Sequence, residues 1–264
     1  MKKRIVILGA GESGVGEALL AQKKGYDVFV SDASLIKASF KNELKSAGID
    51  FEEGLHSEEK IFNAALIMKS PGIPENNELV MKLRKRQIEI ISEIEFAFRY
   101  KGDSKVIAIT GSNGKTTTTA MVFHICQVAA LDCAMVGNIG YSFARQVATD
   151  KKKVYVTEIS SFQLDDIKTF RPDIAILTNI TEDHLDRYEY NFENYIKSKF
   201  SIIKNQTEND VFIYCLDDEI TMKYLNKFLI KSNPLPYTMD KSLQKGAYIS
   251  DAKMHLNWQE DKII

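Results

Sequence analysis

The sequence of 264 residues contains no long hydrophobic run and no excess of charge of one sign. No stretch approaches the roughly 18 consecutive apolar residues of a membrane-spanning helix, which argues against a membrane protein. The 35 basic and 36 acidic residues nearly cancel, so overall charge does not favour binding to nucleic acid. The apolar run at residues 5–8 is too short for a signal peptide. We therefore expect a cytoplasmic protein without membrane or nucleic-acid partners.

Cysteine is scarce as well, because the chain has only three, an odd number without metal-ligand spacing. Cys126 and Cys215 lie in apolar runs, which predicts buried thiols in a reducing compartment. The remaining composition, 44% hydrophobic and 27% charged, is typical of a soluble globular protein. At this length the composition predicts two domains.

The prediction of function depends most on residues 106–117, where an apolar strand pattern runs into a turn that ends in Gly-Lys-Thr. A helical pattern follows, and strand, turn and helix in this order are typical of a phosphate-binding loop. Gly111 and Gly114 allow the backbone to bend so that several N–H groups point at one anion. A helix that begins near Lys115 adds the positive end of its dipole.

The side chains of this loop indicate a nucleotide and a metal ion. Lys115 can reach the β- and γ-phosphates, and the Thr116 hydroxyl can ligate Mg²⁺. The general motif requires glycine where this chain has Ile109, and this departure points to an ATPase subgroup with a shorter motif. The predicted ATP-binding residues are Gly111, Ser112, Asn113, Gly114, Lys115, Thr116 and Thr117.

Residues 1–97 alternate between strand and helix patterns, which predicts an α/β fold that begins with a Rossmann-like parallel sheet domain. A strand pattern at residues 5–8 precedes Gly-x-Gly-x-x-Gly at residues 9–14, a helix pattern and a second strand that ends at Asp32. This acid lies close to the usual ribose-binding spacing. Such a loop indicates a pyrophosphate at a helix N-terminus, and both NAD and UDP contain a pyrophosphate.

Other features of this half are less decisive. Ser70, Pro71 and Gly72 follow a strand pattern at the edge where open α/β sheets bind ligands, and they form either a ligand contact or only a stiff turn. Ser92 and Glu95 predict the capped start of a helix. We place the domain junction near residues 92–104.

Residues 98–264 predict a second, phosphate-loop NTPase-like α/β domain. Asn138 lies between two glycines, and the sequence does not distinguish a turn from a ligand contact there. Glu158 ends a strand pattern, where phosphate-loop ATPases need an acid for Mg²⁺. His184 lies among carboxylates, in a position suited to metal and substrate. Lys199 falls in a helical pattern over residues 192–203, beside isoleucines. After residue 231 the patterns weaken, and short strands are indicated only near residues 247–249 and 254–256.

Taken together, several segments resemble the Mur ligases of peptidoglycan synthesis, and among them the enzymes that add D-glutamate. The segments are TGSNGKTT (residues 110–117), GNIG (137–140), EISSFQL (158–164) and NITEDHLDRY (179–188). EISSFQL is the most discriminating, because the other Mur ligases have different residues after that glutamate. The resemblance spans the chain, closely over about residues 106–204 and more loosely in the first domain.

The resemblance implies that ATP phosphorylates the terminal carboxylate of UDP-N-acetylmuramoyl-L-alanine and that the amine of D-glutamate then attacks the acyl phosphate. It implies Lys115, His184 and Lys199 as catalytic residues. Two Mg²⁺ ions are expected, one held by Thr116 and Glu158 and the other by His184 and a carbamylated Lys199. The substrate-binding residues that it implies are Gly11, Ser13, Gly14, Asp32, Ser70, Pro71, Gly72, Asn138, Ser161, Gln163 and His184.

Such ligases have a third domain and a late H-N-x-x-N segment, and neither is found in this sequence. We therefore expect a truncated, monomeric chain whose central domain is incomplete at its C-terminal end and that is inactive alone. A nicotinamide-dependent oxidoreductase is the first alternative, supported by the glycine pattern at residues 9–14 and by Tyr195-x-x-x-Lys199. A non-catalytic nucleotide-binding module is the second.

Overall fold

Apolar runs alternate with helical segments along the chain and assemble into two sheets. The computed structural model describes residues 2–257. The strands of the first sheet are β1 (Arg4–Leu8), β2 (Asp27–Asp32), β3 (Asp50–Glu53), β4 (Leu66–Lys69) and β5 (Ile90–Ile91). The helices of this half are α1 (Glu12–Lys23), α2 (Ala38–Ser46), α3 (Glu58–Ile61), α4 (Glu78–Lys85) and α5 (Glu93–Tyr100). The strands are parallel, in the order β3-β2-β1-β4-β5.

The second sheet is larger. Its strands are β6 (Lys105–Thr110), β7 (Cys133–Gly137), β8 (Val154–Glu158), β9 (Ile174–Leu177), β10 (Val211–Cys215), β11 (Asn233–Thr238), β12 (Gly246–Ser250) and β13 (Lys253–Asn257). The helices are α6 (Lys115–Val128), α7 (Phe143–Thr149), α8 (Ser161–Asp165), α9 (Phe192–Phe200) and α10 (Glu219–Leu225). The order is β13-β12-β11-β10-β9-β6-β8-β7, and every pair except β12 with β13 is parallel.

Burial explains why β1 and β6 occupy interior positions. Val6 and Ile7 in β1 and Val106 and Ile109 in β6 are fully buried, as expected for parallel strands that are covered on both faces. β6 pairs with β8 on one side and with β9 on the other, so the carboxyl ends of these strands lie together. The predicted α/β fold, with a Rossmann-like first sheet and a phosphate-loop second sheet, is confirmed. None of the described helices is both long and apolar enough to cross a membrane.

The predicted helix start at Ser92 is correct, but its predicted cap is wrong. α5 begins at the next residue, yet the Ser92 hydroxyl finds no hydrogen-bond partner within residues 2–257. Glu95 instead accepts hydrogen bonds from the N–H groups of Lys168 (2.9 Å) and Phe170 (2.7 Å), so it ties α5 to the second half of the chain. The proposed division between residues 97 and 98 stays a prediction and falls within α5.

Two smaller expectations also need correction. The helix predicted over residues 192–203 is α-helical only to Phe200, and a 3-10 turn follows over Ser201–Ile203. Cys126 is buried as predicted, whereas Cys215 is partly exposed. The strands expected near residues 247–249 and 254–256 are present as β12 and β13.

Close helix packing and ion pairs join the two halves. α1 packs against α7 because Gly16 leaves room, and a Cβ atom there would overlap the Ser142 hydroxyl. Arg145 in α7 pairs with Glu12 of α1 (2.6 Å) and with Glu43 of α2. The N-terminal end of α1, which carries the glycine-rich loop, is therefore anchored to the second half.

Buried glutamates near this junction have different surroundings. Neither carboxyl oxygen of Glu17 has a hydrogen-bond partner within the described residues. Burial, and then the charge of Glu93, raises the pKa of Glu17 well above its usual value. Burial also raises the pKa of Glu93 to about 7, although the N–H group of Ala144 donates to it. For Glu95, burial acts in the same direction, but the hydrogen bonds it accepts outweigh burial and lower its pKa.

We expect Glu17→Leu to stabilise the fold more at pH 8 than at pH 5. The pKa of Glu17 is higher in the folded state than in the unfolded chain, so its favourable contribution is present at low pH and is lost as the pH rises. Leucine removes this dependence, because it has no group to ionise. The gain is measured as a higher melting temperature than that of the wild type at pH 8, with a smaller increase at pH 5.

Glu95→Leu is the matched control, because it makes the same substitution at a carboxylate that is well hydrogen-bonded. Its lowered pKa contributes stability above the unfolded pKa, so Glu95→Leu should destabilise the protein most at neutral pH. An effect of Glu17→Leu that is equal at both pH values would contradict the assignment.

Candidate active site

The carboxyl ends of β6, β8 and β9 open into a cleft of about 340 Å³ between the two halves of the chain. The first half contributes Pro71 and Gly72 to its wall. The second half contributes Lys115, Asn138, Ser160, Ser161, Phe162, Asp183, His184, Arg187, Tyr195 and Lys199. Most of the residues predicted for catalysis and metal binding therefore lie together.

The phosphate-binding loop is held in place by the residues that follow β9. The N–H groups of Ser112 and Asn113 donate to the backbone and side-chain oxygens of Asn179, each at 2.9 Å. The Thr178 hydroxyl donates to the carbonyl oxygen of Asn113 (2.7 Å). Gly111 approaches this segment so closely, with φ of 147°, that a Cβ atom would overlap the Thr178 hydroxyl. The loop conformation is therefore fixed by contacts within the protein.

These contacts determine which amides remain for an anion. The N–H groups of Ser112 and Asn113 already donate to Asn179. Fewer backbone N–H groups therefore remain for an anion than the sequence predicted. Gly114 adopts a left-handed conformation (φ 80°) immediately before α6, and the first N–H groups of a helix lack intrahelical acceptors. No acceptor from residues 2–257 lies on the N–H groups of residues 114–117. These amides fit the phosphates of a nucleotide.

The side chains at the start of α6 face the same place. The Lys115 ammonium donates to the carbonyl oxygen of Ser112 (2.8 Å) and lines the cleft. The Thr116 hydroxyl donates to one oxygen of Glu158 (2.7 Å), and the Asn138 amide donates to the other (2.8 Å). Gly137 makes this approach possible, since a Cβ atom there would overlap the carbonyl oxygen of Glu158.

The donor set around Glu158 fits Mg²⁺. A carboxylate and a hydroxyl are the oxygen ligands that Mg²⁺ prefers, and this ion is usually held by one or two carboxylates together with phosphate. Within the described residues no cluster of three or more His, Cys, Asp or Glu side chains could form an all-protein cage. A metal ion at Thr116 and Glu158 would therefore complete its coordination with nucleotide phosphate and water.

Lys199 is buried directly beneath the phosphate loop, with only 2% of its surface exposed. Its ammonium donates to the carbonyl oxygen of Gly111 (2.8 Å) and to the Thr110 hydroxyl (3.3 Å). Burial, and then the charge of Lys115, lowers the pKa of Lys199 to about 7. As an ammonium it cannot ligate a cation, but its neutral, nucleophilic form is accessible near neutral pH.

His184 stands at the open side of the cleft, in a left-handed backbone conformation (φ 49°). Its side chain is 54% exposed, with Nε2 lying 3.5 Å from a carboxylate oxygen of Asp183. The ring rests against that of Phe162 (5.2 Å between centroids). His184 is therefore available to a ligand in the cleft.

The substrate residues predicted in the first half fall into two groups. Gly11, Ser13 and Gly14 lie in the loop and first turn of α1, and Asp32 accepts a hydrogen bond from the N–H group of Ala10 (2.7 Å) in that loop. These residues do not line the cleft. The turn at residues 70–72 connects the two regions, because a Cβ atom on Gly9 would lie only 2.8 Å from that of Ser70.

Ser161 and Gln163 have separate positions in α8. Ser161 lines the cleft, whereas Gln163 is buried and accepts a hydrogen bond from the Ser160 N–H group (3.0 Å) in a capping box. The structure thus places Gln163 behind the cleft wall, and its contact with substrate stays a prediction. The segments that carry the resemblance contain Phe162, Asn179 and Arg187, but the resemblance assigned no role to them. Their position after strand ends, among polar residues, is the signal that could have identified them.

Comparison with known proteins gives two matching family models. The model described as Mur ligase middle domain matches residues 109–264, and the model described as MurD N-terminal domain matches residues 4–79. The UDP-N-acetylmuramoylalanine–D-glutamate ligase of Cytophaga hutchinsonii is 50% identical over 265 residues, which cover 100% of this chain and 59% of that protein. The ligase of the same name from Bacteroides fragilis is 53% identical over 249 residues, covering 94% and 56%. The chain thus spans less than two thirds of the length of these relatives.

Solved structures give the same fold. The UDP-N-acetylmuramate:L-alanyl-gamma-D-glutamyl-meso-diaminopimelate ligase from Neisseria meningitides has a TM-score of 0.64 at 19% identity, covering 96% of this chain and 86% of that one. The UDP-N-acetylmuramate-alanine ligase from Thermotoga maritima has a TM-score of 0.56 at 21% identity, covering 91% and 53%. At these identities, the structures establish the fold alone.

Proposed function

This chain belongs to the Mur ligase family, and from that premise we propose that it carries the ATP and UDP-substrate sites of a UDP-N-acetylmuramoyl-L-alanine–D-glutamate ligase of peptidoglycan synthesis. The observation that supports this most directly is the juxtaposition in the cleft. The free amides of residues 114–117 and the Thr116–Glu158 pair lie at the end of the second sheet, and Pro71 and Gly72 approach them from the first half. A phosphate donor and a UDP-linked carboxylate can therefore meet there.

In the proposed reaction the γ-phosphoryl group of ATP passes to the terminal carboxylate of UDP-N-acetylmuramoyl-L-alanine. The amine of D-glutamate then attacks the acyl carbon, the bond to phosphate breaks, and the amide forms as the amine loses a proton. Lys115 and the amides of residues 114–117 would hold the ATP phosphates. Thr116 and Glu158 would hold a Mg²⁺ ion, which supplies neutralising charge for the phosphoryl group. Asn138 and His184 would contact the muramoyl substrate.

Lys199 would serve as a metal ligand in a modified form. Its buried amine has a pKa of about 7, so it can react with CO₂ to form an anionic carbamate near neutral pH, releasing a proton. The carbamate oxygens, together with His184, would hold a second Mg²⁺ ion. The unmodified ammonium donates to Gly111 and cannot do so. The second ion thus depends on this modification.

The remaining assignments of the proposal concern the chain as a whole. Residues 1–97 would bind the UDP-linked substrate, and residues 98–264 would bind ATP. The substrate residues in the first half would be Gly11, Ser13, Gly14, Asp32, Ser70, Pro71 and Gly72. The protein would act as a cytoplasmic monomer. The oxidoreductase alternative is not favoured, because the Tyr195 hydroxyl bonds to Ser112 of the phosphate loop (3.0 Å). Tyr195 and Lys199 therefore both contact the phosphate loop.

We expect isothermal titration of the 264-residue chain to show binding of UDP and of ATP, and no binding of NADH. The physical reason is that the glycine-rich loop accepts a pyrophosphate while the second loop already provides a separate ATP site. Tight binding of NADH without a response to UDP would favour the oxidoreductase alternative and refute the proposal.

Lys115→Ala should fold normally and lose phosphoryl transfer by about 10²-fold or more, because its ammonium faces the charge that develops on the phosphoryl group. ADP formation in a ligase of the relatives' full length measures this loss. Lys197→Ala, which removes an exposed lysine of α9, is the control and should retain activity. An unimpaired Lys115→Ala enzyme would mean that the loop is structural and would favour a non-catalytic binding module.

Lys199→Ala should abolish activity in the same assay, and a small carboxylate added in solution should partly restore it by supplying the missing oxygen ligand. Intact-mass measurement and a well-resolved structure should show added CO₂ on the Lys199 amine. If Lys199→Ala is active without any additive, Lys199 is not a metal ligand.

A further inference from the structure

Arg187 connects the two halves of the chain across the cleft. Its guanidinium donates to the carbonyl oxygens of Pro71 (3.0 Å) and Gly72 (3.4 Å) in the first half. The same group lies over the ring of Phe162 in the second half, 4.3 Å from the ring centroid. A planar guanidinium suits such an arrangement, because it stacks on an aromatic face and donates from its edge at the same time.

The base of the 70–72 turn is fixed separately. Lys69, which precedes the turn, is buried and donates to the carbonyl oxygen of Ile73 (3.1 Å), so it closes the turn from below. The same ammonium lies 3.2 Å from a carboxylate oxygen of Asp166, which follows α8 in the second half. Lys69 thus holds the base of the turn, and Arg187 contacts the carbonyl oxygens at its tip.

The charge of Arg187 is not neutralised by any carboxylate that the structure describes. Within residues 2–257 no Asp or Glu oxygen lies at ion-pair distance from its guanidinium. The acceptors are neutral carbonyl groups, and Arg187 is half-buried in the cleft wall next to His184. The contact therefore depends on the two hydrogen bonds of the guanidinium and on its stacking against the Phe162 ring more than on a salt bridge.

We propose that Arg187 is a positioning residue for the muramoyl end of the UDP-linked substrate, acting through the 70–72 turn; this rests on the function proposed above. A substrate whose UDP part is bound by the glycine-rich loop must extend past this turn to bring its carboxylate to Lys115 and Glu158. By fixing the tip of the turn against Phe162, Arg187 sets the path that the substrate follows. A displacement of about 1 Å in such a path can cost on the order of 10²-fold in rate.

The test compares the affinities of UDP, UDP-N-acetylmuramoyl-L-alanine and ATP for the 264-residue chain by isothermal titration. On the proposed function, UDP alone would occupy the glycine-rich loop without the muramoyl end, so its affinity would report the first half of the site. The dissociation constant of UDP divided by that of the complete substrate gives the affinity that the muramoyl end adds. ATP binding reports whether the second half is folded.

For Arg187→Ala we expect this ratio to fall by about tenfold or more, with UDP and ATP affinities within twofold of the wild type. Arg187→Lys should behave like Arg187→Ala. An ammonium keeps the charge, but it cannot stack flat on the Phe162 ring and donate from two nitrogen atoms at the same time. Arg86→Ala is the matched control: it removes another arginine stacked on a phenylalanine, over Phe62 at 4.1 Å, away from the cleft, and should leave the ratio unchanged.

Several results would overturn the proposal. Full retention of the ratio in Arg187→Ala would show that the contact is incidental, and full rescue by Arg187→Lys would show that only charge matters. Equal weakening of the binding of all three ligands would show that Arg187 supports the fold as a whole and has no specific role in positioning the substrate. Failure of the proposed function is distinguishable, because the wild-type chain itself would then bind neither UDP nor the complete substrate.

Discussion

The rest of the site depends on the hydrogen bonds between the phosphate loop and the two residues that follow β9. Thr178 and Asn179 hold the loop through its carbonyl and N–H groups, and this leaves the amides from Gly114 onward facing the cleft. It also places Thr116 against Glu158 at the end of β8. Because parallel strands deliver their carboxyl ends to one edge, residues far apart in sequence meet there without any long-range charge attraction.

The same strand order explains why the first half is needed at the site. The glycine-rich loop of α1 and the 70–72 turn lie at the carboxyl edge of the first sheet, where that sheet would bind a ligand by itself. The ion pair of Glu12 with Arg145 anchors α1 to α7, and Lys69 with Asp166 anchors the turn to α8. The 70–72 turn therefore reaches the cleft, while the glycine-rich loop lies behind it and contacts the turn through Gly9 and Ser70.

The sequence correctly predicted the strands and helices that local residue patterns determine. The strand that ends at Asp32, the strand before Glu158 and the helix after Gly114 were correct because apolar runs and glycine positions determine them. β11 was missed because Pro234 and Pro236 argue against a strand interior. The N–H group of Asn233 faces β10, so by alternation the two prolines face the other side, where β12 pairs only from Tyr237 onward. The contacts of Asn179 and Arg187 depend on tertiary packing, which no local pattern encodes.

Ile109 shows how a departure from a motif follows from the fold. The general phosphate loop would start with glycine at this position, but here β6 continues through it to Thr110. Ile109 is fully buried and lies in register with Glu158 on one side and Ile176 on the other. Its carbonyl oxygen accepts from the N–H group of Ile159 (2.8 Å). A longer strand leaves a shorter loop, so the close approach to the neighbouring strand falls to Gly111. The register of β6 with β8 places Glu158 within hydrogen-bond distance of the Thr116 hydroxyl.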